Sequence, residues 1–101
     1  MRKYEDKSTD VLFKIIASIN TKEECRDFFE DLCTIKELKD MAQRFETAIL
    51  LKKGQNYQEI SATLGTSAAT ISRVSRCLNY GTGGYEKALE ILDNMENENE
   101  I

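Results

Sequence analysis

The stretch Gln58-Glu59-Ile60-Ser61-Ala62-Thr63-Leu64-Gly65-Thr66-Ser67-Ala68-Ala69-Thr70-Ile71-Ser72-Arg73-Val74-Ser75-Arg76 decides how the chain is read. Ile60 and Leu64 recur at helical spacing, and so do Ile71 and Val74, so two apolar faces stand on either side of Gly65. A short helix, a tight turn and a second helix at a steep angle need a residue tolerant of positive φ at the corner, and glycine supplies it. Upstream, Asn56-Tyr57-Gln58-Glu59 places an N-cap three residues before a glutamate, which opens the first of these helices. Downstream, Thr66-Ser67 restarts a helix expected to reach about Asn79, which sets the helix-turn-helix at about 57–79.

The same patterns extend in both directions. Ser8-Thr9-Asp10 offers cap oxygens for a first helix with Val11, Leu12, Ile15, Ile16 and Ile19 on its apolar stripe, ended by Asn20. Thr21-Lys22-Glu23-Glu24 reads as a capping box ahead of Phe28, Phe29 and Leu32. Thr34-Ile35-Lys36-Glu37 opens a longer helix expected to bury Leu38, Met41, Ala42, Phe45, Ala48 and Ile49, with Gly54 beyond its end. After the loop Gly81-Thr82-Gly83-Gly84, a last helix carries Tyr85, Ala88, Leu89, Leu92 and Met95, and residues 97–101 read as a frayed acidic tail. No alternating run is long enough for a strand, and there is no repeat and no linker. The expectation is an all-α fold of about six helices, one domain over residues 1–101.

Composition removes several functions. The 101 residues hold no His, so Ser-His-Asp and Cys-His catalysis and mixed His/Cys zinc sites are excluded, and no metal site is expected. Cys25, Cys33 and Cys77 are odd in number and scattered, which reads as buried or half-buried fillers in a reducing cytoplasm rather than a disulfide framework. The apolar runs are too short to span a membrane. The glycine loop at 81–84 lacks the lysine and the preceding strand of a P-loop and reads as a connector. Nothing points to an enzyme. A monomer of this size buries only about 60–65% of its unfolded surface, and so much apolar helix face suggests a homodimer.

The second helix of the corner carries the functional expectation. Ser67, Ala68, Ala69, Thr70 and Ser72 are small and largely hydroxylated, so a backbone bearing them can approach base edges closely. Arg73 and Arg76, with Lys53, can hold phosphates. A merely solvated face would carry more Glu and Lys. The net charge of −4 argues against nucleic acid only as an average. Residues 86–101 contribute −5, with Glu86, Glu90, Asp93, Glu96, Glu98 and Glu100 against Lys87 alone, so residues 1–85 stand at +1. Between Lys52 and Arg76 the balance is +3. Affinity from phosphates scales with the charges neutralised, so modest and salt-dependent binding is expected.

The combination of Asp31-Leu32-Cys33-Thr34, Glu37-Leu38, Met41-Ala42-Gln43-Arg44, Ala69-Thr70-Ile71-Ser72-Arg73, Tyr80-Gly81 and Gly84-Tyr85 resembles the Trp-repressor superfamily. It is closest to the YerC/YecD-type group of Trp-repressor-like proteins. The resemblance covers most of the chain. It implies six helices, an intertwined homodimer whose N-terminal helices wrap around the partner, and two recognition helices in successive major grooves of double-stranded DNA. It also implies a cytoplasmic, bacterial transcription regulator, with repression as the default. The arginines that hold tryptophan in the repressor are matched by Arg44 and Arg73, which become candidate effector contacts. Val74 stands where the repressor has glycine beside the indole, so tryptophan is not expected as corepressor; another small-molecule effector, or none, is. Gln58 and Ser61 replace residues that are basic there. The alternative is a helical interaction module that kept the fold and lost the DNA.

Overall fold

The computed structural model describes residues 2–98 as six α-helices and, among those residues, no strand. The chain divides into two compact units, Met1–Leu38 and Lys39–Ile101. Residues 99–101, part of the expected acidic tail, lie outside the described residues.

In the first unit, α1 spans Lys7–Ser18 and α2 spans Lys22–Leu32. The α1 cap is Asp6, not the Ser8–Asp10 cluster expected from sequence. Asp6 Oδ1 accepts from Thr9 N–H at 2.8 Å, and Thr9 Oγ1 accepts from Asp6 N–H at 3.1 Å. This reciprocal box outcompetes a later start, and the Ser8 hydroxyl joins it by donating to Asp6 Oδ1. Extended backbone at Ile19 ends the helix one residue before Asn20. Thr21 caps α2 as expected, but Glu24 Oε1 takes up the Thr21 hydroxyl instead of the Thr21 N–H, so only half the box forms. The Thr34–Glu37 box forms in full, at 2.8 and 3.1 Å, and opens α3, Ile35–Lys52. Neither α1 nor α2 contains a buried residue.

The second unit contains the core. Ala48 of α3, Ile60 of α4 (Tyr57–Leu64), Ile71 and Val74 of α5 (Ala68–Tyr80) and Leu89 of α6 (Gly84–Asn97) are its buried apolar side chains. Each large one contributes about 1.5–3 kcal/mol by leaving water. α3 ends in a Schellman motif: Gln55 N–H donates to Leu50 O and Gly54 N–H to Leu51 O, with Gly54 at φ 89°. The Asn56–Glu59 box, both bonds 2.9 Å, then opens α4. α6 begins inside the glycine loop, at Gly84. It is held to α3 by the stacked rings of Phe45 and Tyr85, 6.5 Å apart, and by an exposed Lys52–Glu86 ion pair at 3.3 Å.

Two sequence expectations change here. Ala42 is exposed and Leu38, Met41, Phe45 and Ile49 are only half-buried, because the second unit closes over the apolar face of α3 at Ala48 rather than along its whole length. Cys77 is exposed: it lies beyond Val74 on α5 and opens onto a groove with Phe45 and Tyr85.

Candidate nucleic-acid interface

The corner forms where the sequence placed it. Gly65 adopts φ 69°, ψ 19°, and its N–H closes α4 onto Ser61 O at 2.8 Å. Three residues later α5 has begun. The turn is held from behind by Gln43 of α3, whose side-chain amide donates to Leu64 O at 2.9 Å. That carbonyl is one that a helix end leaves without a partner, so the bond both closes α4 and fixes the corner on α3. One turn along, the buried Thr47 hydroxyl donates to Gln43 O at 2.8 Å.

Ser67 caps α5. Its Oγ accepts from Thr70 N–H at 3.2 Å, and its hydroxyl donates to Thr70 Oγ1 at 3.1 Å. The first turn of α5 holds no acidic residue, so the positive end of the helix dipole is not offset there. Ser67, Ala68, Ala69, Arg73 and Arg76 are exposed. Thr70 and Ser72 are half-buried, since each flanks the fully buried Ile71 around the helix. α5 thus brings all seven of these candidate residues onto one element or its cap. Lys53 is exposed but stands apart, in the turn that ends α3. Arg44, half-buried on α3, and Arg73, exposed on α5, sit on different helices.

Val74 is 1% exposed. Its isopropyl group packs into the core with Ile71 and fills the space that a glycine at this position would leave open. The residues present therefore do not fit an indole at this point on α5. Two features of the corner escaped the sequence reading. Gln43 stood in the sequence only within the Met41-Ala42-Gln43-Arg44 motif, with no role at the corner. Thr66, 3% exposed, has a buried hydroxyl with no hydrogen-bond partner among the described residues, although threonine in a turn ordinarily signals surface.

The family model described as Trp repressor protein matches residues 7–93. The chain belongs to this family. Its likeness to the Trp repressor proteins reaches across both units. The uncharacterized protein YerC of Bacillus subtilis (strain 168) is 49% identical over 96 residues, covering 95% of this chain and 92% of that one. A crystal structure of a TrpR-like protein from Eubacterium eligens superposes with a TM-score of 0.85 at 44% identity, over 90% of this chain and 94% of the other. A candidate Trp repressor from Staphylococcus aureus gives 0.84 at 38% identity, over 90% and 91%. The family is one of regulators rather than enzymes, and the six-helix, YerC-type assignment follows from these likenesses. Among the described residues no helix is long and apolar enough to cross a membrane.

Proposed function

We propose that the chain is a sequence-specific DNA-binding regulator of a bacterial cytoplasm, acting as a homodimer and by default a repressor. The observation that carries the reading is the α4–Gly65–α5 corner. Its second helix starts with the exposed Ser67, Ala68 and Ala69 and continues into the exposed Arg73 and Arg76, in a chain of a repressor family. α5 lies in the major groove, with its first turn against base edges and Arg73 and Arg76, helped by Lys53, on the phosphates. The free N–H groups at the start of α5 favour a phosphate as well.

Dimerisation is supported by the first unit. Two helices of 12 and 11 residues that bury nothing are marginal by themselves. They expose Val11, Phe13, Ile15 and Leu32. The second unit offers an apolar groove of about 500 Å³ lined in part by Phe45, Cys77, Tyr85 and Ala88. A second copy supplies the missing surface for both. The reading leaves no room for tryptophan beside Val74, and Arg44 with Arg73 remains the candidate contact for another effector.

The test is selection of bound duplexes from a random DNA pool at low salt. The expected outcome is a palindrome with half-sites one helical turn apart, about 34–36 Å, the spacing common to dimeric helix-turn-helix proteins, the Trp repressor among them. A pool that stays unselected even at low salt overturns the proposal. It would favour the interaction module, a reading helped by the net charge of −4 and the uncharged Gln58 and Ser61 on α4.

A further inference from the structure

Three hydroxyl residues stand at the start of α5, and their hydrogen bonds settle how much of their polarity can face outward. Thr66 Oγ1 is buried and reaches nothing outside the fold. Ser67 and Thr70 share one hydrogen bond between their hydroxyls, and the Thr70 N–H occupies a lone pair on Ser67 Oγ. Of the two hydroxyl protons in this pair, one is used inside it whichever oxygen donates. The single proton left can turn to any acceptor, so the pair discriminates weakly among base edges. Ala68 and Ala69 lie between these two residues. Both are exposed and each offers a methyl group with no competing partner. In the major groove only thymine presents a methyl group of its own.

Resting on the DNA-binding reading above, we propose that α5 selects its half-site mainly through contact of Ala68 and Ala69 with thymine methyl groups. Thr66 and Ser67 build the turn and do not read bases. The specificity is apolar at its centre, and the arginines hold the backbone on either side of it.

Thymine-to-uracil replacement tests this directly, because it removes one methyl group and leaves every hydrogen-bonding atom of the base pair in place. The probes are duplexes recovered from the random pool and their uracil-substituted copies, one position at a time. The wild-type protein is expected to lose roughly fourfold in affinity at each contacted thymine, the equivalent of one methyl group leaving an apolar contact. Ala68→Gly and Ala69→Gly should each abolish the thymine–uracil difference at one position. Ala69→Ser, which keeps a side chain on the helix, controls for loss of helix stability in the glycine variants. Ser67→Ala should lower thermal stability and leave the thymine–uracil ratio unchanged. Selected half-sites without thymine, or uracil copies bound as well as the originals, overturn the inference while leaving DNA binding intact. A protein that retains no duplex at all overturns both.

Discussion

Thr66 shows how far residue type can mislead. A hydroxyl between a glycine corner and a helix cap reads as solvent-facing, yet its oxygen is buried and unpartnered in the described residues. An unmet buried hydroxyl costs about 1–3 kcal/mol, whereas an apolar group of the same shape costs nothing of that kind. Thr66→Val should therefore be neutral or stabilising in thermal melts; a drop in Tm of several degrees would mean that the hydroxyl has a partner in solution. Asp6 gives a pH-dependent counterpart. The Thr9 N–H, helped by the Ser8 and Thr9 hydroxyls, holds its carboxyl below the ordinary aspartate range. Its folded pKa is thus lower than its unfolded one. The cap is at full strength above the unfolded value and is lost as pH falls through the folded value. Acidification should fray the first turn of α1, seen as a fall in the exchange protection factor of the Thr9 amide relative to its intrinsic rate. Asp6→Asn, which still caps but does not titrate, should remove that dependence.

At the scale of elements, caps were the most legible part of the sequence. Thr21, Thr34 and Asn56 all cap where their spacing to a glutamate indicated, because both partners of the bond lie within four residues of each other. The start of α1 was misplaced for the same local reason: two cap candidates compete within a few residues, and Asp6 with Thr9 forms the reciprocal pair. The α4–α5 corner depends on Gly65 at φ 69°. A Cβ there would meet nothing within 4 Å, so the cost of Gly65→Ala is backbone strain, about 1–2 kcal/mol. Chemical denaturation should show that loss. On α5 two variants separate reading from anchoring. Ala69→Gly should lower affinity roughly fourfold at one thymine only, while Arg76→Ala should weaken all duplexes alike and reduce the salt slope by about 1. Titrations against single-base variants at several salt concentrations distinguish the two.

For the whole molecule, burial is unevenly shared. The buried apolar side chains all lie in the second unit, on α3 to α6, while α1 and α2 have none. In the proposed homodimer a second copy would give the first unit its missing contacts. Val11→Asp with Ile15→Asp, both exposed and one helical turn apart on α1, should then yield a monomer by sedimentation and weaken operator binding sharply. A double variant that remains dimeric would remove α1 from the interface. The acidic stretch from Glu86 onward works against binding through its charge, so truncation after Met95, which removes Glu96, Glu98 and Glu100, should strengthen non-specific DNA binding. An unchanged affinity would place that stretch far from the DNA.

The sequence alone determined the helical fold, the position of the corner and the inner residues Ile60, Ile71 and Val74. Periodicity, glycine and capping patterns act over a few residues, where chain neighbours are also spatial neighbours. It also carried the family, through motifs spread from Asp31 to Tyr85. Only the tertiary structure decided that Gln43 holds the end of α4 across 21 residues, that Thr66 is buried and that Cys77 is exposed. Each of these depends on which helix face meets which. A one-dimensional pattern marks a residue as polar or apolar, but the groups packed against it determine what its atoms can still do.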